Sequence, residues 1–450
     1  MKVLLVRCRE TENLNTRLPD SLNKAQGIYP PLGIAYIAAF LEQHDIDVEI
    51  LDILALNLTR EEIKNAIRRI NPEIIGLTSM TPTCRSVIDV CYIAKEVNSD
   101  ILTVVGGVHM SIFAREMLSF PCIDVGVIGD GEDAMLKICK DMHQGKRPKG
   151  VLKGERIDNL DILPIPARHL LPNDKYWCVI VEKPFTTMIT TRGCPFGCGF
   201  CYPAEKKVRF RDPIKVVDEM ELIARQYKFK EILFYDDTFT LSRKHAINIC
   251  EEIIRRGLKL KWEAPTRCDR VDRKLLEIMK KAGCIRLRFG VESGDQNILN
   301  HMNKGITLEQ IRQAFKLTKK AGIETFAYFI IGYMGEDENT IKSTIRFAKE
   351  LSPDWVMFTA ATPLPETMLY EESVKAGLVD KNYWSDFTLG KRNDRLPFLI
   401  ENADLWAKQA YKEFYLRPSF MIHKLKSINS LYRLKHIMTG AYAILKFRMN

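Results

Sequence analysis

The sequence predicts an α/β protein with two parallel sheets followed by a helical C-terminal region, and three observations carry that prediction. Short runs of Val, Ile and Leu alternate with amphipathic segments through residues 1–150, and a second such series fills residues 185–375. Between them, over 151–184, the periodicity fades into a stretch punctuated by Pro164, Pro166, Pro172 and Pro184, which reads as a linker. Strand and helix in alternation imply parallel strands with helices on both faces.

In the first series the strands are expected at Lys2–Val6, Asp47–Ile53, Ile74–Ser79, Leu102–Gly106 and Val125–Ile128, each followed by a helical pattern. Such a doubly wound, Rossmann-like sheet binds ligands beyond its C-terminal strand ends. The loops of interest are therefore Arg7–Pro31, Thr78–Thr83, Gly106–His109 and Gly129–Asp133. In the second series strands are expected at Thr186–Thr191, Glu231–Tyr235, Leu260–Ala264, Ile285–Gly290, Thr325–Gly332 and Trp355–Thr362. The intervening helices fall at Pro213–Tyr227, Arg243–Gly257, Arg273–Ala282, Leu308–Ala321 and Glu338–Glu350. Six βα units make a partial or full TIM-type parallel barrel, whose chemistry lies at the C-terminal strand ends. Beyond about residue 376 the pattern is irregular and then helical, and no short internal repeat suggests a solenoid.

Composition narrows the class further. With 46% apolar and 28% charged residues the chain buries real cores, which excludes disorder and collagen-like repeats. No run approaches the roughly 18 apolar residues of a membrane span, and Met1–Val6 runs straight into a strand, so a cytoplasmic protein without a secretory signal is expected. Twelve cysteines in 450 residues are too few for a disulfide scaffold and point to buried thiols plus a metal site.

That metal site has one candidate. In Thr191-Arg192-Gly193-Cys194-Pro195-Phe196-Gly197-Cys198-Gly199-Phe200-Cys201-Tyr202 three cysteines at spacings of four and three sit among glycines where the first barrel strand ends. Chance assembly of two cysteines at fixed offsets from a third has odds on the order of 1%. Structural zinc is the plain alternative, but zinc takes four ligands, commonly in repeated C-x-x-C knuckles, and no second knuckle or His pair lies nearby. Three cysteines suit a four-iron cluster with one open iron.

C-x-x-x-C-x-Φ-C at the end of a first barrel strand resembles the signature of the radical S-adenosylmethionine (SAM) superfamily. The resemblance implies that Cys194, Cys198 and Cys201 ligate a 4Fe–4S cluster whose open iron chelates the amino and carboxylate groups of SAM, with Phe200 beside it. Phe234-Tyr235-Asp236-Asp237 resembles the family position that receives the SAM amino group, so Asp236 and Asp237 are candidates, with helix capping as the plain alternative. Phe289-Gly290-Val291-Glu292-Ser293-Gly294 looks like the family's G-x-E-S-G segment, which places Glu292 and Ser293 near the SAM ribose and carboxylate. Phe329-Ile330-Ile331-Gly332-Tyr333 resembles the backbone approach to adenine, centred on Gly332. Arg288 is a candidate for the SAM carboxylate, with an ordinary ion pair as the alternative. Pro363-Leu364-Pro365-Glu366-Thr367 departs from the family's Pro-Gly-Thr at Glu366.

Ahead of the cysteine loop, Pro30–Leu41, Val105-Gly106-Gly107-Val108-His109 and Gly129-Asp130-Gly131-Glu132-Asp133 resemble, in that order, the cobalamin-binding domain of the B12-dependent radical SAM enzymes. Taken singly they are weak: Gly27 and Gly33 read as helix starts and Gly106-Gly107 as a tight turn. The resemblance covers roughly residues 1–375 and implies that Thr78, Ser79, Met80 and Thr81 lie near the cobalamin tail with Gly106, Gly107, Gly129 and Gly131 beside it. No D-x-H-x-x-G follows the first strand, so no histidine is expected below cobalt. His109 is expected to be structural or tail-contacting, and His143, in a near-miss of that motif, to be at the surface. Cys84, Cys91, Cys122, Cys139 and Cys250 read as small core residues. A second cluster held by Cys8, Cys84 and Cys91, as in methylthiotransferases, does not match in its surroundings.

From Leu405 to Asn450 nine Lys and Arg stand against Glu413, a net +8 out of the chain's +10, interleaved with aromatic and aliphatic residues. These helices either cap the barrel or lay a cationic face on an anionic membrane surface. Nucleic acid is not expected as a partner. The resemblance thus implies a 1–150 cobalamin domain, a 185–375 radical SAM barrel and a 376–450 helical basic region. The expected activity is methylation of an unactivated carbon of a lipid or other small molecule. One SAM methylates cobalamin, and a second is cleaved at the cluster to a 5′-deoxyadenosyl radical that abstracts the substrate hydrogen. The electrons come from a low-potential donor such as ferredoxin or flavodoxin. A cyclase or ring-rearranging relative without methyl transfer is the alternative, and a non-catalytic iron–sulfur or zinc module is the alternative of another class.

Overall fold

The computed structural model describes residues 1–10, 27–202, 205–392, 394–418 and 420. They fall into two compact units, one drawn from 1–13, 28–176 and 380–395, the other from 14–27, 177–379 and 396–450.

The first unit is built on six strands, β1 (Lys2–Arg7), β2 (Asp47–Asp52), β3 (Ile74–Thr78), β4 (Leu102–Gly106), β5 (Val125–Ile128) and β6 (Gly150–Lys153). All pairs are parallel, in the order β2-β1-β3-β4-β5-β6. The order reverses at β1, so the crevice of this sheet opens beyond the C-terminal ends of β1 and β3. Val3, Leu4, Leu5 and Val6 are all buried, as a strand covered on both faces requires. Helices α1 (Leu32–Glu42) and α4 (Gly131–His143) pack together, burying Ile34, Ala38, Ala134 and Ile138 against one face. Helix α2 (Arg60–Ile70) packs on α3 (Cys84–Val97). It starts at a capping box between Thr59 and Glu62 and ends at Asn71 in the left-handed region, with Ile63, Ile67 and Ile70 inward.

Two features of this unit differ from expectation. Strand β6 lies at the start of the stretch read as linker. It is an edge strand whose residues alternate between half-exposed and exposed, with Val151 at 54%, so it has no apolar run to announce it. The unit also continues to Tyr176, whose hydroxyl donates to the buried Asp52 at 2.9 Å, and takes back residues 380–395. There a helix over Tyr383–Thr388 docks through Ser385 Oγ on Glu116 (2.8 Å) and through Arg85, whose guanidinium lies 4.1 Å from the Phe387 ring.

The second unit holds β7 (Phe185–Met188), β8 (Glu231–Phe234), β9 (Lys261–Thr266), β10 (Cys284–Glu292), β11 (Glu324–Ile331) and β12 (Trp355–Ala360), parallel and side by side in chain order. Strands β7 and β12 are the two edges, so this is an open six-stranded barrel. The helices between are α5 (Pro213–Arg225), α6 (Arg243–Arg255), α7 (Arg273–Lys281), α8 (Leu308–Lys320) and α9 (Glu338–Leu351), and α10 (Met368–Lys375) follows β12. Each begins where Asp212, Ser242, Asp272, Thr307, Asp337 or Thr367 accepts a backbone N–H of its first turn. Along β10, Leu287, Phe289 and Val291 join the apolar layer beneath the helices. Arg286 and Arg288 alternate with them and pair with Glu263.

The predicted first barrel strand is shorter than expected. It stops at Met188, and Thr191–Arg192 instead forms an antiparallel ribbon with Arg209–Phe210 that closes the base of the cysteine loop. At the other edge, α11 (Ala403–Tyr415) covers β12. The Tyr411 hydroxyl accepts from Phe358 N–H, and the Tyr415 hydroxyl both accepts from Val356 N–H and donates to its carbonyl. Unpaired strand groups are thereby satisfied. The start of the basic tail is a barrel cap, and residues 421–450, with Lys424, Lys426, Arg433, Lys435, Lys446 and Arg448, lie outside the described residues. Among the described residues no helix is long and apolar enough to cross a membrane.

Candidate active site

The cysteine loop leaves β7 under tight backbone control. Gly193 has φ 99°, and a Cβ there would lie 2.7 Å from the Glu205 carbonyl that accepts the Cys194 N–H. Gly199 has no room either, since a Cβ would meet the Tyr333 hydroxyl at 2.8 Å. The loop is pinned from several sides. Gly199 N–H donates to Met302 O (2.8 Å), Asn303 Nδ2 donates to Gly197 O (2.7 Å), Leu369 N–H donates to Gly199 O (2.9 Å), and the Arg267 guanidinium lies 3.9 Å from the Phe196 ring. Cys194 and Cys198 are half-buried and Cys201 is exposed. Burial pushes the Cys194 thiol up, with Asp237 and Cys198 adding to the shift. Among the described residues no three His, Cys, Asp or Glu side chains close around a single metal ion.

The strand-end residues divide into those that hold loops and those that face the thiols. Asp236 is buried and accepts from Thr190 N–H (2.6 Å), Thr191 N–H (3.2 Å) and the Thr190 hydroxyl, tying β8 to the start of the cysteine loop. Burial nevertheless raises its carboxyl to about 6. Asp237, its exposed neighbour, is the carboxylate whose field reaches Cys194 and Cys201. Ser293 is buried, with its hydroxyl 3.2 Å from Thr344 Oγ1 while accepting Asp295 N–H. Arg288 takes the ion-pair alternative, bonded to Glu263. The Gly332 amide donates to Glu336 (2.7 Å), and its φ of 82° leaves the space in which Ala403 of α11 sits. Phe200 is half-buried, its ring centre 5.6 Å from the Lys304 ammonium.

Glu292 has φ 69° and pairs at 2.7 Å with Lys304, both buried. Although burial disfavours the Lys304 charge, Glu292 and Cys198 more than offset it and raise its pKa. Lys304 and Arg267 are cations beside the thiols that the motif reading passed over. Arg267 follows directly on β9, where the strand-end rule for parallel barrels points, and its Nη1 is buried without a partner. The Tyr333 hydroxyl beside Gly199 is likewise buried and unpartnered. Three thiols on one pinned loop, with cations to balance thiolate charge and spare polar atoms around them, fit a 4Fe–4S cluster and a zwitterionic SAM. Glu366 adopts φ 60°, the conformation a glycine would supply, so the family's turn is kept despite the substitution.

In the first unit the candidate residues gather at the ends of β3, β4 and β5. Ser79 N–H donates to Gly106 O (2.8 Å) and its carbonyl accepts His109 N–H (3.0 Å). A Cβ on Gly107 (φ 93°) would lie 2.6 Å from Ser79 O and 2.9 Å from Thr78 Oγ1. Gly106 lies against Val127, Gly129 (φ 95°) faces the Gly154 carbonyl, and Gly131 lies against Ile37. Ser79 Oγ is fully buried with no partner, which suits a ligand acceptor at the β3 end such as the cobalamin tail. Thr81 is occupied, its hydroxyl 3.3 Å from His109 Nδ1, and His109 Nε2 lies 3.0 Å from Thr388 Oγ1. With both ring nitrogens engaged, His109 is structural, and His143 is exposed at the end of α4. Met80 is exposed at 49%. Of the Arg7–Pro31 loop, residues 11–26 lie outside the described residues. Cys8, Cys84 and Cys91 are buried.

Comparison with known proteins agrees with both halves. Residues 188–348 match the Radical SAM superfamily model and residues 20–138 the B12 binding domain model. The chain is 37% identical over 443 residues to an uncharacterised methyltransferase of Pyrococcus horikoshii, covering 94% of each chain. It is 32% identical over 450 residues to the anaerobic magnesium-protoporphyrin IX monomethyl ester cyclase of Rubrivivax gelatinosus, covering 93% of this chain and 79% of that one. Its fold matches the radical S-adenosylmethionine methyltransferase TsrM from Kitasatospora setae, with a TM-score of 0.71 at 16% identity over 100% of this chain and 99% of that chain. The chain belongs to the cobalamin-dependent radical SAM family of methyltransferases and cyclases and is a radical SAM enzyme that uses a 4Fe–4S cluster, SAM and cobalamin.

Proposed function

We propose that the enzyme transfers a methyl group to an unactivated carbon of a small-molecule scaffold, with a lipid favoured. The observation that carries methyl transfer over ring formation is the end-to-end match to the methyltransferase relative, at 94% of both chains, against 79% of the cyclase. The bound cofactors supply the radical and the methyl group; the protein orients, excludes water and balances charge. In this reading Cys194, Cys198 and Cys201 hold three irons while Met302, Asn303 and Arg267 keep their loop in place. Asp237 receives the SAM ammonium, because Asp236 is committed to Thr190 and Thr191. Arg267 Nη1 and the Tyr333 hydroxyl are the spare donors for its carboxylate and sugar. Ser79 Oγ, with Thr78 and the close backbone at Gly107 and Gly129, takes the cobalamin tail.

Like other radical SAM enzymes it draws electrons from an external donor; a ferredoxin or flavodoxin suits that role. The interleaved cations and apolar residues of 421–450 support peripheral contact with an anionic membrane. The test is anaerobic reconstitution with iron, sulfide and cobalamin, then mass analysis of cell lipids incubated with methyl-deuterated SAM. A product heavier by one labelled methyl, formed alongside 5′-deoxyadenosine, is expected. Release of 5′-deoxyadenosine with a product changed only by hydrogen or oxygen would favour the cyclase reading, which the 32% identity to the cyclase supports. Replacing any one cluster cysteine with Ala is expected to abolish 5′-deoxyadenosine formation.

A further inference from the structure

At the N-terminal ends of β8, β9 and β10, the barrel end away from the cysteine loop, lies an open cleft of about 650 Å3 that plays no part in the site above. Lys228, Lys230, Lys259, Lys261, Lys280 and Lys281 line it, and Glu182 is its one carboxylate. A repeated local pattern aims the lysines. In Lys228-Phe229-Lys230 and Lys259-Leu260-Lys261 the central side chain is buried, and all six lysines are exposed. Lys280 and Lys281 end α7. Gly283 then turns the chain so closely that a Cβ would lie 2.4 Å from the Leu260 carbonyl.

These charges are not used up within the protein. Glu182 takes Lys230 at 3.2 Å and Lys261 at 2.7 Å, and Lys280 Nζ donates to the Gly322 carbonyl. Lys228, Lys259 and Lys281 make no ion pair or hydrogen bond among the described residues. Helix-end stabilisation accounts for Lys280 and Lys281 but not for Lys228, Lys230, Lys259 and Lys261. Phe229, Leu258 and Leu260 give the cleft an apolar floor under a cationic rim.

We propose that this cleft binds a multiply charged phosphate group. Six ammoniums against one carboxylate, in a concave space within the usual range of small-ligand sites, suit a compact polyanion whose oxygens accept from several lysines at once. The cleft lies about 20 Å along β9 from Arg267, so its ligand anchors or regulates rather than reacts. Positive charge also continues along the same barrel end. Lys319 Nζ donates to the Leu351 and Ser352 carbonyls, and Arg417 donates to Lys349 O and Ser352 Oγ, close to where the described chain ends. A soluble polyphosphate ester and a phospholipid headgroup share this chemistry.

Two arms separate these sources. Titration calorimetry of the cofactor-loaded full chain with sodium tripolyphosphate is expected to give saturable, salt-sensitive binding of one per chain. That binding should weaken more than tenfold in the combined Lys228→Glu, Lys259→Glu, Lys281→Glu variant and several-fold in the corresponding Gln variant. Lys137→Glu, an exposed lysine of the other unit, should leave it unchanged. In the second arm the proteins are sedimented with phosphatidylglycerol–phosphatidylcholine vesicles. Loss confined to tripolyphosphate assigns a soluble source, and a parallel loss on vesicles assigns a headgroup. No saturable tripolyphosphate binding by the wild type, or equal binding by variants with native iron–sulfur and circular dichroism spectra, overturns the proposal.

Discussion

Replacing Lys304 with Met should destabilise the barrel unit far more than a surface lysine would. Lys304 and Glu292 are each 7% exposed, and their charged atoms are 2.7 Å apart. At an effective dielectric constant near 20 that separation corresponds to an attraction of about 6 kcal/mol, most of which offsets the desolvation of the two ions. Removing Lys304 forfeits the attraction and leaves the Glu292 carboxylate buried without its partner, a loss of about 3–5 kcal/mol. For a unit of this size roughly 2 °C of melting temperature corresponds to each kcal/mol, so a fall of roughly 6–10 °C is expected in thermal melts of the cofactor-free protein. Glu292→Gln alone should cost a comparable amount, and the double variant Lys304→Met, Glu292→Gln should recover half or more of either loss. Single variants that melt within 2 °C of wild type, or a double variant as unstable as the two losses added, would refute the coupling. Because Lys304 follows the Met302 and Asn303 contacts to the cysteine loop, iron content after reconstitution should fall with Lys304→Met as well.

Three further outcomes are expected. Burial lowers the His109 pKa from 6.5 to about 4, so between those values the unfolded chain binds a proton that the folded one refuses. Its contribution is fully present above pH 6.5 and is lost as the pH falls toward 4, by roughly 3 kcal/mol in all. His109→Gln should flatten that limb of the melting-temperature profile, and an unchanged slope would count against it. Glu366→Gly should raise stability by about 1 kcal/mol, since it relieves a left-handed residue, and a lower melting temperature would show that the Glu side chain contributes more than the strain costs. Ser79→Ala should raise the cofactor-free melting temperature slightly, because it removes a buried hydroxyl that has no protein partner, while weakening cobalamin binding about tenfold. An unchanged cobalamin Kd in equilibrium dialysis would remove Ser79 from the site.

The first sheet was legible because parallel strands covered on two faces have to be nearly continuous apolar runs, as in Val3–Val6, and the second because apolar residues recur at every other position, as in Leu287, Phe289 and Val291. Strand β6 was not, since an edge strand with Val151 at 54% exposure has no buried side to pattern. The return of residues 380–395 to the first unit was invisible for another reason. It depends on single contacts, Ser385 with Glu116 and Arg85 with Phe387, between positions about 270 and 300 residues apart, and local periodicity carries nothing about such pairs. The cysteine loop stood out because its pattern is local: three thiols and the glycines that turn the backbone occur within one short segment.

The remaining site assignments mark the reach of a motif. A strand-end position identifies which loop faces the cofactors, but not which atom remains free to meet them. Asp236 and Asp237 are adjacent, yet the first accepts from Thr190 and Thr191 while the second is exposed beside Cys194. Ser293 closes on Thr344, and the Gly332 amide closes on Glu336, so each steadies a strand end from behind. Among the buried polar atoms left without partners are Arg267 Nη1 and the Tyr333 hydroxyl, together with Ser79 Oγ in the other unit. A buried polar atom without a partner is costly in the empty protein and is compensated only when a ligand arrives. Beyond the cluster cysteines, these three atoms are therefore where cofactor affinity should be most sensitive to substitution.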